Sequence, residues 1–388
     1  MAGQARDLTN LHTHGLHVSP KGNSDNVMLS FMSGDTFNYV YNLSRHPGGN
    51  LNYYHPHLHG NSAEQVWGGM AGALEVADAT TALAGFETHT MMLKDITLSG
   101  SAPAAHTVTD SMNGKEGKVM MVNGKVNPVL NMKPGQVQRW KIVNASNARF
   151  YKLSLAGHAL QIIGTDGGLL NRPYAQSSIL LSPGERIDVM VKASATRGYY
   201  KLLSNPYNRG MGMMSGSGSS QTVTLLTVNV TCTAVANNIP TTINSKAVRL
   251  AVPAGTPTRR ITLDMGMGMG MMGGSLKAYI NGIAFSPTNA YTAHSKVNTY
   301  EVWEIINNSM MDHPFHQHVN PAQVISITGG DMAYKNFYTT SPALKDTVIA
   351  PKNGSVKLLV PIKDFKGITA FHCHILEHED IGMMGLWD

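Results

Sequence analysis

The chain is poor in cysteine, with only Cys232 and Cys373 among 388 residues, and poor in charge, with Asp, Glu, Lys and Arg making up 14% of it. Two cysteines allow one bridge at most, and none if Cys373 serves a metal, so no structural disulfide is expected and Cys232 has no partner. So little charge, set against 39 glycines, excludes a coiled coil or a disordered chain and favours a β-rich, loop-rich protein. No apolar run approaches the roughly 18 residues a membrane-spanning helix requires, and the N-terminus lacks a signal-peptide core. Membrane partners are therefore not expected. The formal net charge is +6, but Lys and Arg are scattered rather than gathered into a basic run, which argues against nucleic acid as a partner.

What is abundant is methionine (24), histidine (17) and short strand-like segments between turn dipeptides. Residues 36–42 and 88–95 read as strands, the first from its period-two alternation. Residues 68–76 are small, as tight packing beneath a metal site would require, and residues 77–85 read as a linker. Asn-Gly, Asp-Gly and Pro-Gly turns at Asn123, Asp166, Pro134 and Pro183 punctuate the middle of the chain as they would a β-sandwich. An internal repeat gives the organisation. Residues 139–146 recur as 302–309, and Val122-Asn-Gly124 recurs as Ile280-Asn-Gly282, at offsets of 163 and 158 residues. Two units of one fold at that spacing are expected. Of five Asn-x-Ser/Thr sequons (Asn42, Asn144, Asn229, Asn307, Asn353), most read as chance matches.

The chemistry is concentrated in Phe371-His-Cys-His-Ile-Leu-Glu-His-Glu-Asp-Ile-Gly-Met-Met384. If residues 371–375 form a strand, Cys373 faces one way while His372 and His374 face the other. One strand then serves two metal sites. On the cysteine side, His378 and Met383 complete part of a blue-copper ligand set, in which a thiolate and imidazoles are joined by a weak axial thioether. That set needs a second histidine from elsewhere. Three further histidine groups precede it: His12-Thr-His14, His55-Pro-His57-Leu-His59 and His313-Pro-Phe-His316-Gln-His318. His89, His106 and His158 lack metal spacing and read as structural or solvated.

The four groups, in this order and with the His-Cys-His core last, resemble the copper-binding motifs of the multicopper oxidases. The resemblance spans the chain and implies an all-β protein of three cupredoxin-like Greek-key domains at 1–78, 79–235 and 236–388, the middle one without copper ligands. It implies four copper ions. His313, Cys373, His378 and Met383 would hold the type 1 copper, His12 and His316 the type 2 copper, and His14, His55, His57, His318, His372 and His374 the type 3 pair. His59 would lie outside the ligand set, behind it, and His17, His46 and His294 are assigned no role. Because the cluster draws histidines from 12–57 and 316–374, it must sit between the first and third domains. Asp25 and Glu379 are the expected carboxylates behind the ligands, supplying protons and orienting imidazoles.

The repeat exposes a departure from the family pattern. Trp303 lies thirteen residues before His316, and the same count back from His12 falls before Met1, so the first domain is expected to be incomplete, with an edge that invites self-association. The activity implied is laccase-like: one-electron oxidation of phenols or aromatic amines, or of Cu(I), coupled to reduction of O2 to water, in a periplasmic or secreted setting. The alternative is a non-enzymatic copper-binding or copper-storage protein. Methionine-rich residues 209–215 and 265–274 alternate with glycine, so they are expected as exposed loops whose thioethers suit Cu(I).

Overall fold

The computed structural model describes residues 8–77, 80–210, 221–267 and 276–388. Both methionine-rich segments fall largely outside these residues, apart from Arg209, Gly210 and residues 265–267.

Two β-sandwiches dominate. In the first, a six-stranded sheet (Gly168–Gln176, Leu160–Thr165, Arg186–Lys192, Val137–Asn144, Glu87–Ile96, Val119–Val122) lies against a five-stranded one centred on Tyr151–Leu155 and Gly198–Asn205. In the second, a six-stranded sheet centred on Thr299–Asn307 and Gly354–Ile362 lies against five strands that include His313–Gln317 and Thr369–Cys373. Apolar residues alternate inward from both sheets of each sandwich and join one continuous core that holds Trp140, Ile142, Leu153, Trp303, Ile305, Phe315 and Phe371.

The sequence repeat is a repeat of local physics. Trp140 and Trp303 are both fully buried, and each donates its indole N–H to the residue two before it, Gln138 and Glu301. Asn144 and Asn307 each donate their amide to two backbone carbonyls and accept from the N–H two residues on. These two sequon asparagines are buried and fully engaged. Asn123 and Asn281 both have positive φ, at 51° and 50°, followed by glycine at 74° and 76°, the conformation that favours Asn-Gly in tight hairpins.

The first segment is smaller, with a three-stranded sheet of His12–His14, Leu51–His55 and Gly72–Glu75. One expectation fails here. Residues 36–42 form no strand, because no neighbouring strand takes up their backbone. Their aromatic rings instead stack, Phe37 on the nearby Phe31 and Tyr39 on Tyr41. The linker expected at 77–85 contains a short 3-10 turn, Thr81–Leu83, anchored by buried Leu83 against Val137 and Ile163.

Candidate metal centre

Two pairs of directly opposed histidines build the larger site. His12 faces His55 across the first sheet, and His316 faces His372 across the last. Side chains so paired stand close together. The two sheets bring these pairs against each other, with His12 stacked on His318 at 4.0 Å and His14 on His316 at 3.7 Å. His57 Nε2 lies 2.9 Å from His372 Nε2, His318 Nε2 lies 3.4 Å from it, and His374 Nε2 lies 3.2 Å from His14 Nδ1. All eight histidines are buried.

The outer nitrogens of His12, His55 and His316 are tied down. Both Asp25 oxygens lie 3.0 Å from His12 Nδ1, and Asp25 is itself fixed by the Thr13 N–H and hydroxyl. The Pro56 carbonyl accepts from His55 Nδ1, and the Asp346 carbonyl from His316 Nδ1. This leaves Nε2 of His12, His55 and His316 buried without a partner. Buried polar atoms are nearly always satisfied, so three inward-facing orphan nitrogens fit bound metal. His14 is turned the other way. Asp346 and Thr347 take its Nε2, so its Nδ1 faces inward. Burial, reinforced by neighbouring imidazoles, lowers the pKa values of His12, His14, His318 and His374, and those of His55, His57 and His372 to about 3. They are neutral and ready to ligate.

The smaller site is a triangle of Cys373 Sγ, His313 Nδ1 and His378 Nδ1 with edges of 3.3, 3.8 and 3.3 Å. Metal–sulfur and metal–imidazole bonds of about 2.3 and 2.0 Å put ligand atoms on one ion roughly 3–4 Å apart, so this triangle fits a single metal. Ser309 Oγ, at 2.7 Å, holds His313 Nε2, and the Met112 carbonyl accepts from His378 Nε2. Met383 is buried in the same core, and its backbone bonds both Cys373 and His378. Burial pushes the Cys373 thiol up, a cost that metal binding removes by taking the thiolate.

Glu379 follows His378 in sequence but faces the larger site, 3.4 Å from His57 Nδ1 and 3.1 Å from His372 Nδ1. The helix Leu376–Asp380 turns it away from the triangle. Burial raises its pKa and lifts Asp25 to about 7. His59 belongs to neither group of ligand atoms among the described residues; its ring stands edge-on to Phe285 at 4.8 Å. His17 bonds Val319 and Asp364, His46 bonds Asn50, and His106 bonds Glu377, which are structural roles.

Sequence reading missed Tyr53, Ser309, Met112, Asp346 and Thr347. Tyr53 was within reach: it shares the face of His55 at period two, and its hydroxyl lies 2.8 Å from His374 Nε2. The others carry no local signal.

The fold and the two sites together define a copper protein built of cupredoxin-like sandwiches. Family models described as multicopper oxidase match residues 3–81, 86–229 and 255–388. The chain belongs to the multicopper oxidase family, and it is an oxidoreductase with copper as its cofactor. A multicopper oxidase of Staphylococcus haemolyticus is 29% identical over 97% of this chain and 76% of its own length. A laccase of Bacillus subtilis is 32% identical over 69% of this chain, which spans 53% of that protein. Among solved structures, a Campylobacter jejuni multicopper oxidase described as a metallo-oxidase superposes with a TM-score of 0.83 at 29% identity, over 99% of this chain and 80% of its own. Relatives named as oxidases leave the non-enzymatic alternative without support.

Proposed function

We propose that the protein takes single electrons from phenols, aromatic amines or Cu(I) at the Cys373 site and delivers them to O2, forming water, at the histidine cluster. His313, Cys373, His378 and Met383 hold the type 1 copper in this reading. His12 and His316 hold the type 2 copper, and His14, His55, His57, His318, His372 and His374 the type 3 pair. One observation carries it: in the strand Thr369–Cys373, Cys373 Sγ faces His313 while adjacent His372 Nε2 faces His57 across the cluster. Consecutive residues thus supply a covalent path between the sites. When bound, copper supplies reversible one-electron chemistry, and four ions match the four electrons O2 requires. The protein's part is to exclude water, fix the imidazoles and handle protons. Asp25 orients His12, and Glu379, its pKa raised by burial, can hold a proton beside His57 and His372. Copper analysis and O2 uptake test this, with four coppers per chain and turnover expected. One copper or fewer per chain under copper-replete conditions overturns it.

Oxidation of Cu(I) is favoured by the methionine-rich segments. Deleting residues 265–273 is expected to weaken Cu(I) turnover while sparing bulky phenols. Steady-state kinetics on both substrates check this, and equal losses count against it. The same reading keeps the three units 1–78, 79–235 and 236–388, with self-association through the first checked by light scattering.

A further inference from the structure

We infer that Arg186, from the middle of the chain, which supplies no ligand, is a positioning residue that holds the two halves of the histidine cluster in register. This rests on the ligand reading above. The turn at residues 182–186 reaches directly onto the cluster. Gly184, with φ of +83°, lies so close to His374 that a Cβ there would stand 2.8 Å from the imidazole ring. Two residues on, the Arg186 guanidinium is fully buried and forks onto Asp346, with Nη1 donating to Oδ1 at 2.6 Å and Nη2 to Oδ2 at 2.5 Å. Its Nε donates to the Leu51 carbonyl at 3.0 Å, on the strand that ends in His55. One planar cation therefore grips both the first segment and the last.

Asp346 shows why the grip matters. Its Oδ1 lies 3.2 Å from His14 Nε2 and its carbonyl accepts from His316 Nδ1 at 3.0 Å, so one residue sets one imidazole from each half. Both carboxylate oxygens are occupied by Arg186, which marks Asp346 as a support for the ligands rather than a ligand. With both its oxygens accepting from the guanidinium, that carboxylate is held in place as an acceptor. The His14 Nε2–H is then held outward and its Nδ1 lone pair points into the cluster. Gly15, at φ of +95°, leaves the room: a Cβ there would run into Arg186 Nη2 and Asn52 Oδ1. A bidentate fork of this kind cannot be reproduced by a lysine.

Arg186→Gln, Arg186→Lys and, as a control, Glu185→Gln in the full chain test the inference. Glu185 accepts from Lys345 and Tyr334 in the adjoining buried network and does not touch the cluster. Copper-loaded proteins are dialysed against a chelator while the blue absorption and the type 2 paramagnetic resonance signal are followed. Arg186→Gln is expected to lose type 2 copper about tenfold faster than wild type while keeping its blue colour, since supports behind metal ligands are worth about 10–100-fold in affinity. Arg186→Lys should recover only part of the retention, and Glu185→Gln should lose thermal stability without losing copper faster. Wild-type retention in Arg186→Gln, or parallel loss of blue and type 2 signals, overturns the inference. If the glutamine variant does not fold, the lysine variant decides, and wild-type retention there overturns it equally. The wild-type type 2 signal, measured first, separates failure of the ligand assignment from failure of this role for Arg186.

Discussion

At the scale of single residues, Cys373 separates the two sites. Cys373→Ser removes the only thiolate from the His313–His378 triangle and leaves the eight-histidine group intact. The variant is expected to lose the intense blue absorption and one copper per chain, while the cluster still binds metal, as metal analysis and absorption spectroscopy will show. The buried imidazoles set a pH dependence. His55, His57, His313 and His372 have folded pKa values of about 3, against about 6.5 when unfolded. Between these values the unfolded chain binds more protons, so the stability of the metal-free protein falls as pH drops. Each group contributes a slope of about 1.4 kcal/mol per pH unit. Asp25, raised to about 7, and Glu379, also raised by burial, act in the opposite sense, whereas His12, His14, His318, His374 and His378 are lowered by burial too and add to the loss. Thermal melts of copper-free protein should decline steadily from pH 6.5 to 4, and a flat profile would contradict the assignment of neutral imidazoles.

At the scale of elements, the helix Val108–Asn113 covers the triangle, because the Met112 carbonyl at its end accepts from His378 Nε2. Its start is fixed by a capping box in which Thr107 and Asp110 satisfy each other's backbone N–H groups. Thr107→Ala should cost about 1 kcal/mol of stability and loosen this cover. Faster turnover of bulky phenols with an unchanged blue band is the expected outcome in kinetics and spectroscopy. A second helix, Ser62–Trp67, receives no cap from its own Asn61 side chain. Asp380, more than 300 residues later, accepts from the N–H groups of Gly60 and Ala63 at 2.7 and 2.8 Å instead. The cap thereby joins the His55–His57 segment to the helix that carries His378 and Glu379.

At the scale of the whole molecule, buried charge joins the two sandwiches. Lys345 is wholly buried, with Nζ 2.8 Å from Asp166 and 2.7 Å from Glu185. Lys345→Met strands two carboxylates in the interior and should destabilise the protein by about 3–5 kcal/mol, measured by denaturant unfolding. Copper adds a further link. The cluster's histidines come from residues 12–57 and 316–374, so metal that binds only the assembled cluster would stabilise that assembly by mass action. Chelation should lower the melting temperature, most of all in Lys345→Met, as calorimetry of loaded and metal-free protein will show.

The two side-chain groups were legible because the pattern behind them is local and periodic: His-x-His places two imidazoles on one face of a strand, and His-Cys-His splits three side chains between two faces. The repeat was legible because a buried tryptophan and an Asn-Gly turn impose the same local demands wherever they recur. Residues 36–42 misled because alternation specifies a strand only when a neighbour takes up its hydrogen bonds. Tertiary structure alone decided that Glu379 faces the cluster although it adjoins His378, and that Asp346 backs His14 and His316. It alone decided that Arg186 and Asp380 reach across the chain to hold histidine-bearing segments. The physical reason is range. Ligand identity follows from side-chain chemistry and strand parity over a few residues, whereas the supports behind the ligands act through single hydrogen bonds between segments hundreds of residues apart, which leave no periodic trace in sequence.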